Sequence, residues 1–110
     1  MRTIPDRGDI ILLSLDPTLG HEQAGFRPAV VLSPEIYNKA SGLCLVCPVT
    51  TSVKGYPFEV NLDGAQKTSG VALADQVRSI DWPARKIKIV DSISKTSLTT
   101  ILAKVKPLLF

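Results

Sequence analysis

The sequence predicts a small, mainly β domain: a mostly antiparallel barrel with one short helix and an amphipathic helix near its C-terminal end. Three observations support this prediction. Short runs of β-branched and apolar residues recur at close spacing, with turn residues between them. Helical periodicity is strong in only one segment. The 110 residues are the length of one domain that can bury a core without disulfides or metal, so we expect residues 1–110 to form a single domain.

The first predicted strand follows a short lead-in over residues 1–8. An apolar, β-rich run predicts this strand from Asp9 to Leu15. Residues 16–20 then have the composition of a turn, with Asp, Pro and Gly in sequence. They open a loop that extends to Arg27, and loops of this length are usually functional or disordered.

Two further strands flank the short helix. The strands are predicted at Ala29–Leu32 and Leu43–Val49. Between them, Ser33 has the character of an N-cap and Pro34 that of a first helical residue. Gly42 is predicted to end this helix.

The second half of the chain predicts three strands and the long helix. A loop over residues 52–57 precedes an alternating strand at Phe58–Leu62, and a turn region over residues 63–69 precedes a long strand at Gly70–Ile80. The last strand is predicted at Lys86–Val90. Ser94 then caps a helix that Pro107 ends or kinks, and its apolar positions follow the i, i+3, i+4, i+7 spacing: Leu98, Ile101, Leu102 and Val105.

The composition indicates a soluble, cytoplasmic protein. The N-terminal residues lack the apolar segment of a secretory signal, and no apolar run approaches membrane-spanning length. Cys44 and Cys47 lie three apart in a predicted strand, so their sulfurs should face opposite sides as buried, reduced thiols. This pair and the distant His21 do not supply four zinc ligands, and we expect no metal site. Strands this apolar in so short a chain need covering, so we expect a homodimer.

Positive charge is concentrated in the C-terminal third. Residues 1–77 carry six Lys/Arg against eight Asp/Glu, whereas residues 78–110 carry seven against two. This asymmetry favours a polyanion or an acidic protein as partner, although solvated charge on a strand and a helix explains it nearly as well.

Arg27 lies at the boundary between the long loop and the second strand. Pro28 biases it toward extended geometry, so its guanidinium is held while remaining reachable by a ligand. A held guanidinium suits a phosphate. A surface arginine at a strand start is the alternative interpretation.

Several short motifs occur together in a specific order over about residues 8–82. They are Asp16-Pro17-Thr18, Gly20-x-Glu22-Gln23-x-Gly25-x-Arg27-Pro28, Pro48-Val49-Thr50-Thr51, Gly70-Val71 and Asp75-Gln76-Val77-Arg78. In this order the chain resembles the MazF/PemK family of toxin endoribonucleases from type II toxin–antitoxin modules, and it looks closest to the MazF branch.

The resemblance implies an SH3-like antiparallel barrel of the CcdB/Kid type and a homodimer. It also implies cofactor-free, metal-independent and sequence-specific cleavage of single-stranded mRNA, which inhibits translation and growth, and neutralisation by a cognate, MazE-like antitoxin. It identifies Arg27 and Thr50 as catalytic. The planar, permanently charged Arg27 fork suits the transition-state phosphate but is a poor general base. Thr50 is expected to bind the scissile phosphate or orient the 2′-OH; its alternative role is to cap a turn at a strand end.

Two loop residues are candidates for proton transfer. They are His21 and Glu22, and we favour a supporting role for Glu22 in holding Arg27. The Kid/PemK branch pairs a loop histidine with an Asp and an Arg two residues before that Asp. Here the Asp is present as Asp75, but Leu73 stands where the Arg would be, which favours the Arg27/Thr50 version of the site.

Six residues are candidates for RNA binding: Asp16, Thr51, Lys54, Asp75, Gln76 and Arg78. Gln76 offers a donor and an acceptor for reading a base edge. Lys54 and Arg78 suit backbone phosphates, with solvated surface charge as the alternative for Lys54. Tyr56 suits base stacking, whereas Phe58 is expected to pack in the core.

Two other functions remain open at this stage, because fold alone does not define function. One is a CcdB-like toxin that binds and poisons DNA gyrase without chemistry, although Phe110 is the only aromatic residue at the C-terminal end. The other is an RNA-binding barrel without catalytic activity.

Overall fold

The structure is a computed structural model that describes residues 2–14 and 26–110. Seven strands and two helices follow one another along the chain. They are β1 (Asp9–Ser14), β2 (Phe26–Val31), α1 (Glu35–Ser41), β3 (Leu43–Thr50), β4 (Glu59–Asn61), β5 (Val71–Leu73), β6 (Arg78–Asp81), β7 (Lys88–Ser92) and α2 (Lys95–Leu109). The prediction of a mainly β fold with a short helix and a C-terminal helix is confirmed.

All strand pairs are antiparallel, and they form one strongly bent sheet. Its order is β4-β5-β3-β2-β1-β7, and β6 also pairs with β3. Strand β3 is therefore the centre: it pairs with β2 on one side and with β5 and β6 on the other. Within the described residues β4 and β7 do not pair, so the barrel is open.

A carboxylate joins β7 to the loop that follows β4. Asp91 accepts backbone N–H groups from Gln66, Lys67, Thr68 and Ser92 at 2.7–3.1 Å. Burial opposes the charged form of Asp91, but these hydrogen bonds favour it more strongly and lower its pKa to about 2. Asp91 thus fixes the 66–68 loop to the edge of the sheet.

The sheet carries an apolar cluster on each face. One cluster includes Cys47 and packs against α2, and the other includes Cys44. The two thiols are free and buried on opposite faces, as alternation along a strand predicts. Burial raises the pKa of Cys44 to about 11 and that of Cys47 to about 12, so both remain protonated thiols at neutral pH.

Helix α2 packs its apolar stripe on the first cluster, as predicted. Ile101 is fully buried and Val105 nearly so, while Leu98 and Leu102 are half-buried beside them. The Ser94 hydroxyl oxygen accepts the Ser97 N–H at 3.1 Å, which confirms the N-cap. Proline 107 lies inside the last turn rather than ending the helix.

The predicted start of α1 is wrong, although Gly42 ends the helix as expected. The N-cap is Pro34, and its side chain makes no cap hydrogen bond. The Ser33 hydroxyl instead donates to the buried Asn38 Oδ1 at 2.6 Å and accepts the Leu45 N–H at 2.8 Å. Asp6, distant in sequence, accepts the Glu35 N–H at 2.9 Å and supplies the missing cap.

Other strand boundaries also differ from the prediction. The long strand predicted at 70–80 is two short strands, β5 and β6, separated by residues 74–77. Strand β2 begins at Phe26, so Arg27 lies inside a strand, and β7 begins two residues later than predicted. No helix among residues 2–14 and 26–110 is long and apolar enough to cross a membrane.

Candidate active site

The guanidinium of Arg27 borders a small pocket that opens at one edge of the second apolar cluster. This Arg27 pocket has a volume of about 130 Å³ and is lined by Leu13, Arg27, Pro28, Ala29, Val46, Pro48, Arg78 and Ile80. Its walls are apolar, apart from two arginines. Arg78 is placed there by β6, because it pairs with Val46 of β3. The pocket therefore presents two permanent positive charges at an apolar opening.

The register between β2 and β3 relates Arg27 to Thr50. The ladder pairs Val31 with Val46, Val30 with Cys47 and Ala29 with Pro48. Beyond the last of these pairs, Arg27 lies two residues before Ala29 and Thr50 lies two residues after Pro48. Alternate residues of a strand share a face, so both lie on the face of the Arg27 pocket.

Thr50 borders a second pocket, one step further along β3. This Thr50 pocket has a volume of about 170 Å³ and is lined by Thr50, Ser52, Lys54, Tyr56, Glu59, Leu73 and Gln76. Pro48 lines the first pocket, and two residues along a strand span about 7 Å. The two pockets are therefore neighbours along β3.

The Thr50 hydroxyl has a structural contact. Its oxygen accepts the Ser52 N–H at 3.0 Å, which is the turn-capping role that the sequence left open. A threonine hydroxyl retains a proton to donate and a second lone pair. The side chain is half-buried, so the cap leaves it able to meet a ligand in the pocket.

The loop over residues 51–58, which we call the pocket loop, is held by two acidic side chains. Glu59 accepts the Lys54 N–H at 2.9 Å and the Gly55 N–H at 2.8 Å. The Tyr56 hydroxyl donates to Asp75 Oδ1 at 2.6 Å. This bond, together with the Asp75 charge, raises the pKa of Tyr56 above its usual value.

The structure brings five of the predicted site residues into these two pockets. Arg27 and Arg78 line the first, and Thr50, Lys54 and Gln76 line the second. Asp75 is adjacent, but the prediction that it lies midway along a strand is wrong: it is exposed in the turn between β5 and β6 and holds Tyr56.

The remaining predicted site residues are not brought together in this way. Thr51 is exposed just beyond β3 and lines neither pocket. Asp16, His21 and Glu22 lie outside the described residues. Phe58 is half-buried against the first apolar cluster, which confirms its predicted core role.

Sequence reasoning missed Glu59. It stands in an alternating strand, where an exposed glutamate is unremarkable. Only the fold of the pocket loop shows that its carboxylate faces two backbone N–H groups beside Thr50.

Comparisons with known proteins match the chain over nearly its full length. The family model described as "PemK-like, MazF-like toxin of type II toxin-antitoxin system" matches residues 6–109. The chain is 54% identical over 108 residues to the endoribonuclease toxin MazF of Escherichia coli K12, covering 98% of this chain and 96% of that protein. It is 39% identical over 108 residues to the endoribonuclease PemK of E. coli, covering 94% and 81% of the two chains.

Solved structures give the same result. A MazE–MazF crystal structure (Form-II) from Deinococcus radiodurans contains a chain that superimposes with a TM-score of 0.92 at 44% identity, covering 98% of this chain and 97% of that one. MazF (Form-I) from the same organism superimposes with a TM-score of 0.85 at 44% identity, covering 98% of both chains.

Proposed function

The chain belongs to the family of PemK-like, MazF-like toxins of type II toxin–antitoxin systems, and we propose that it is a sequence-specific endoribonuclease that cleaves single-stranded mRNA without a metal ion. The relatives named above are endoribonucleases. The observation that carries the proposal for this chain is that Arg27 and Thr50, on one face of the sheet, line two neighbouring pockets.

The proposed reaction is an internal transfer at phosphorus. The ribose 2′-oxygen forms a bond to phosphorus, and the bond from phosphorus to the 5′-oxygen breaks. One proton leaves the 2′-OH and one reaches the 5′-oxygen, so the products carry a 2′,3′-cyclic phosphate and a 5′-OH. Negative charge builds up on the phosphoryl oxygens, and stabilising that charge is the largest task of the enzyme.

Arg27 meets that task. Its fork can donate to two phosphoryl oxygens at once, and Arg27 is exposed, so an incoming phosphate can reach it. Arg78 adds a second positive charge at the same opening. The Thr50 hydroxyl donates to the scissile phosphate or orients the 2′-OH. His21 and Glu22 remain the loop candidates for proton transfer.

The Thr50 pocket is proposed to hold a neighbouring nucleotide. Gln76 lies exposed in a turn, where its amide can donate to and accept from a base edge. Lys54 supplies a charge for a backbone phosphate, and Asp75 contacts RNA through the oxygen that Tyr56 leaves unoccupied. Together these roles describe a site of two neighbouring pockets lined with positively charged side chains.

The partners follow from the same family and surface. We propose that a cognate antitoxin neutralises the protein by occupying this basic face, and that the toxin acts in the cytoplasm, where mRNA is translated. We also propose a homodimer through an apolar groove of about 410 Å³ that exposes Tyr37, Leu45, Val77 and Leu109 among its lining residues. A monomer in sedimentation experiments would show that no second copy of the chain covers this groove.

The test is to map fragment ends from a long RNA incubated with the protein in EDTA. We expect cuts at a short recurring sequence, 5′-hydroxyl ends, and a loss of about 100-fold or more in Arg27→Ala, the scale for removing one oxyanion donor. Intact RNA, or cleavage by Arg27→Ala at the wild-type rate, would reject the proposal. Gyrase-dependent DNA breaks with intact RNA would favour the gyrase poison instead.

A further inference from the structure

We propose that Glu59 is a positioning residue for Lys54: it fixes the pocket loop in the conformation that places the lysine at the Thr50 pocket, where it holds a phosphate of bound RNA. This inference rests on the proposed function. Each oxygen of the Glu59 carboxylate accepts one backbone N–H, from Lys54 at 2.9 Å and from Gly55 at 2.8 Å. The carboxylate thus faces the loop backbone.

The pocket loop has little else to fix its middle. Residues 51–55 are all exposed, and Val53 is 58% exposed, so apolar packing does not hold them. Loops with few buried contacts sample several conformations unless hydrogen bonds select one. The Thr50–Ser52 bond secures the beginning of the loop and the Tyr56–Asp75 bond its end. Glu59 secures the segment that carries the lysine.

A carboxylate suits this task better than a neutral acceptor. Hydrogen bonds from N–H groups to a charged oxygen are roughly twice as strong as neutral ones. Gly55 adopts a positive φ of 78°, a conformation that glycine takes readily, and its N–H donates to the same carboxylate as the Lys54 N–H. A loop held in its binding conformation before RNA arrives loses less conformational entropy on binding. The lysine then contributes its charge at a fixed place.

The test measures binding and its salt dependence in four variants: Glu59→Gln, Lys54→Ala, the double variant and Asp63→Asn. Asp63→Asn is the matched control, because it removes one negative charge from an exposed carboxylate outside the pocket loop. The probe is an RNA oligonucleotide containing the mapped cleavage sequence, with hydrogen in place of the 2′-OH at the cleaved bond, so that it binds without being cut. Dissociation constants are measured across a range of salt concentrations.

Losing one phosphate contact should reduce the slope of log affinity against log salt by about 0.7. We expect Lys54→Ala and Glu59→Gln each to show this reduction and to weaken binding by about 5-fold in 0.1 M salt, because a slope change of about 0.7 corresponds to that factor over a tenfold change in salt from about 1 M. The double variant should bind no more weakly than Lys54→Ala, and Asp63→Asn should retain the wild-type slope.

Gly55→Ala provides a second approach to the same loop. An added Cβ has no atom within 4 Å, so the substitution strains the positive-φ backbone without a clash. We expect it to reduce the salt slope in the same way. The positioning role would be overturned if the losses of RNA affinity in Glu59→Gln and Lys54→Ala multiplied in the double variant. It would also be overturned if Glu59→Gln had the affinity and salt slope of Asp63→Asn. In either case, cleavage by the wild-type protein would still support the proposed function. Wild-type protein that neither binds nor cuts RNA would reject both.

Discussion

The hydroxyl of Tyr56 donates to the Asp75 carboxylate at 2.6 Å and thereby ties the pocket loop to the turn between β5 and β6. Tyr56 is half-buried and lines the Thr50 pocket, and Asp75 is exposed in the turn between β5 and β6. The bond stabilises the protonated phenol, which is why the pKa of Tyr56 is raised. The connection therefore depends on the protonation state of Tyr56.

The first prediction concerns this titration. A phenol whose pKa is raised by folding contributes stability below its ordinary pKa of about 10, and that contribution is lost as the pH rises through the raised value. In Asp75→Asn the Tyr56 midpoint should move down toward the ordinary value. Tyrosinate absorbance measures the midpoint, and Tyr56→Phe identifies the signal of Tyr56. An unchanged midpoint in Asp75→Asn would show that the bond does not persist in solution.

The second prediction separates the two roles of Thr50. Thr50→Val keeps the branched shape but removes the oxygen that accepts the Ser52 N–H, so we expect a loss of about 1 kcal/mol in unfolding free energy. If the hydroxyl also contacts the scissile phosphate, the single-turnover cleavage rate should fall by about 100-fold. Thr50→Ser should retain both properties. A Val variant that cleaves RNA within a few-fold of wild type would leave Thr50 with the turn cap alone.

The third prediction concerns acid stability through Asp91. Its pKa of about 2 lies below the ordinary 3.8, so the folded state is stabilised above pH 4 and loses that contribution as the pH falls from about 4 to 2. Asp91→Asn should lower the unfolding free energy at pH 7 by about 1–2 kcal/mol, because an amide accepts fewer of these N–H bonds.

Urea unfolding at several pH values measures this effect. The Asp91→Asn curve should be flatter than wild type between pH 4 and 2. Asp63→Asn, which removes an exposed carboxylate, should follow the wild-type curve. Parallel pH profiles for wild type and Asp91→Asn would indicate that the carboxylate does not bind the 66–68 loop.

The sequence predicted the elements that local pattern determines. β1, β3 and α2 each carry a sustained apolar pattern, and Gly42 and Ser94 supply helix ends whose chemistry is local. The break at residues 74–77 was missed because it contains no Gly or Pro. The Gln76 N–H closes a local turn there by donating to the Leu73 carbonyl oxygen at 3.1 Å, next to the bond from the Ala74 N–H to the Phe58 carbonyl oxygen that continues the β4–β5 pairing.

In the candidate site, too, local sequence pattern and contacts between distant segments contribute different things. Arg27 and Thr50 were identified from motifs, but their relation across the sheet depends on the β2–β3 register, which neither motif contains. The contact between Glu59 and the Lys54-Gly55 backbone likewise arises from how the pocket loop folds back on β4. Local sequence supplies the chemical groups, and pairing between distant segments supplies their geometry.

The last prediction concerns Gly70, which borders the strand end that carries Thr50. Its φ is +113°, and an added Cβ would overlap the Thr50 carbonyl oxygen and approach the Thr50 carbonyl carbon to 2.9 Å. Backbone rather than a flexible side chain would have to move, so Gly70→Ala should displace the end of β3 that carries Thr50. We expect an unfolding free energy lower by about 3 kcal/mol or more, combining strain and overlap, with cleavage reduced by at least the factor of about 100 expected for Thr50→Val.

Gly42→Ala is the matched control, because Gly42 also has a positive φ of 72° but no atom lies within 4 Å of an added Cβ. It should cost only about 1 kcal/mol, the strain of a left-handed residue, and leave cleavage unchanged. Urea unfolding and single-turnover cleavage of the same RNA measure both variants. Equal losses of unfolding free energy in Gly70→Ala and Gly42→Ala would show that the backbone around Thr50 moves away from the added Cβ at little cost. A Gly70→Ala variant with full activity would show that the position of Thr50 does not limit cleavage.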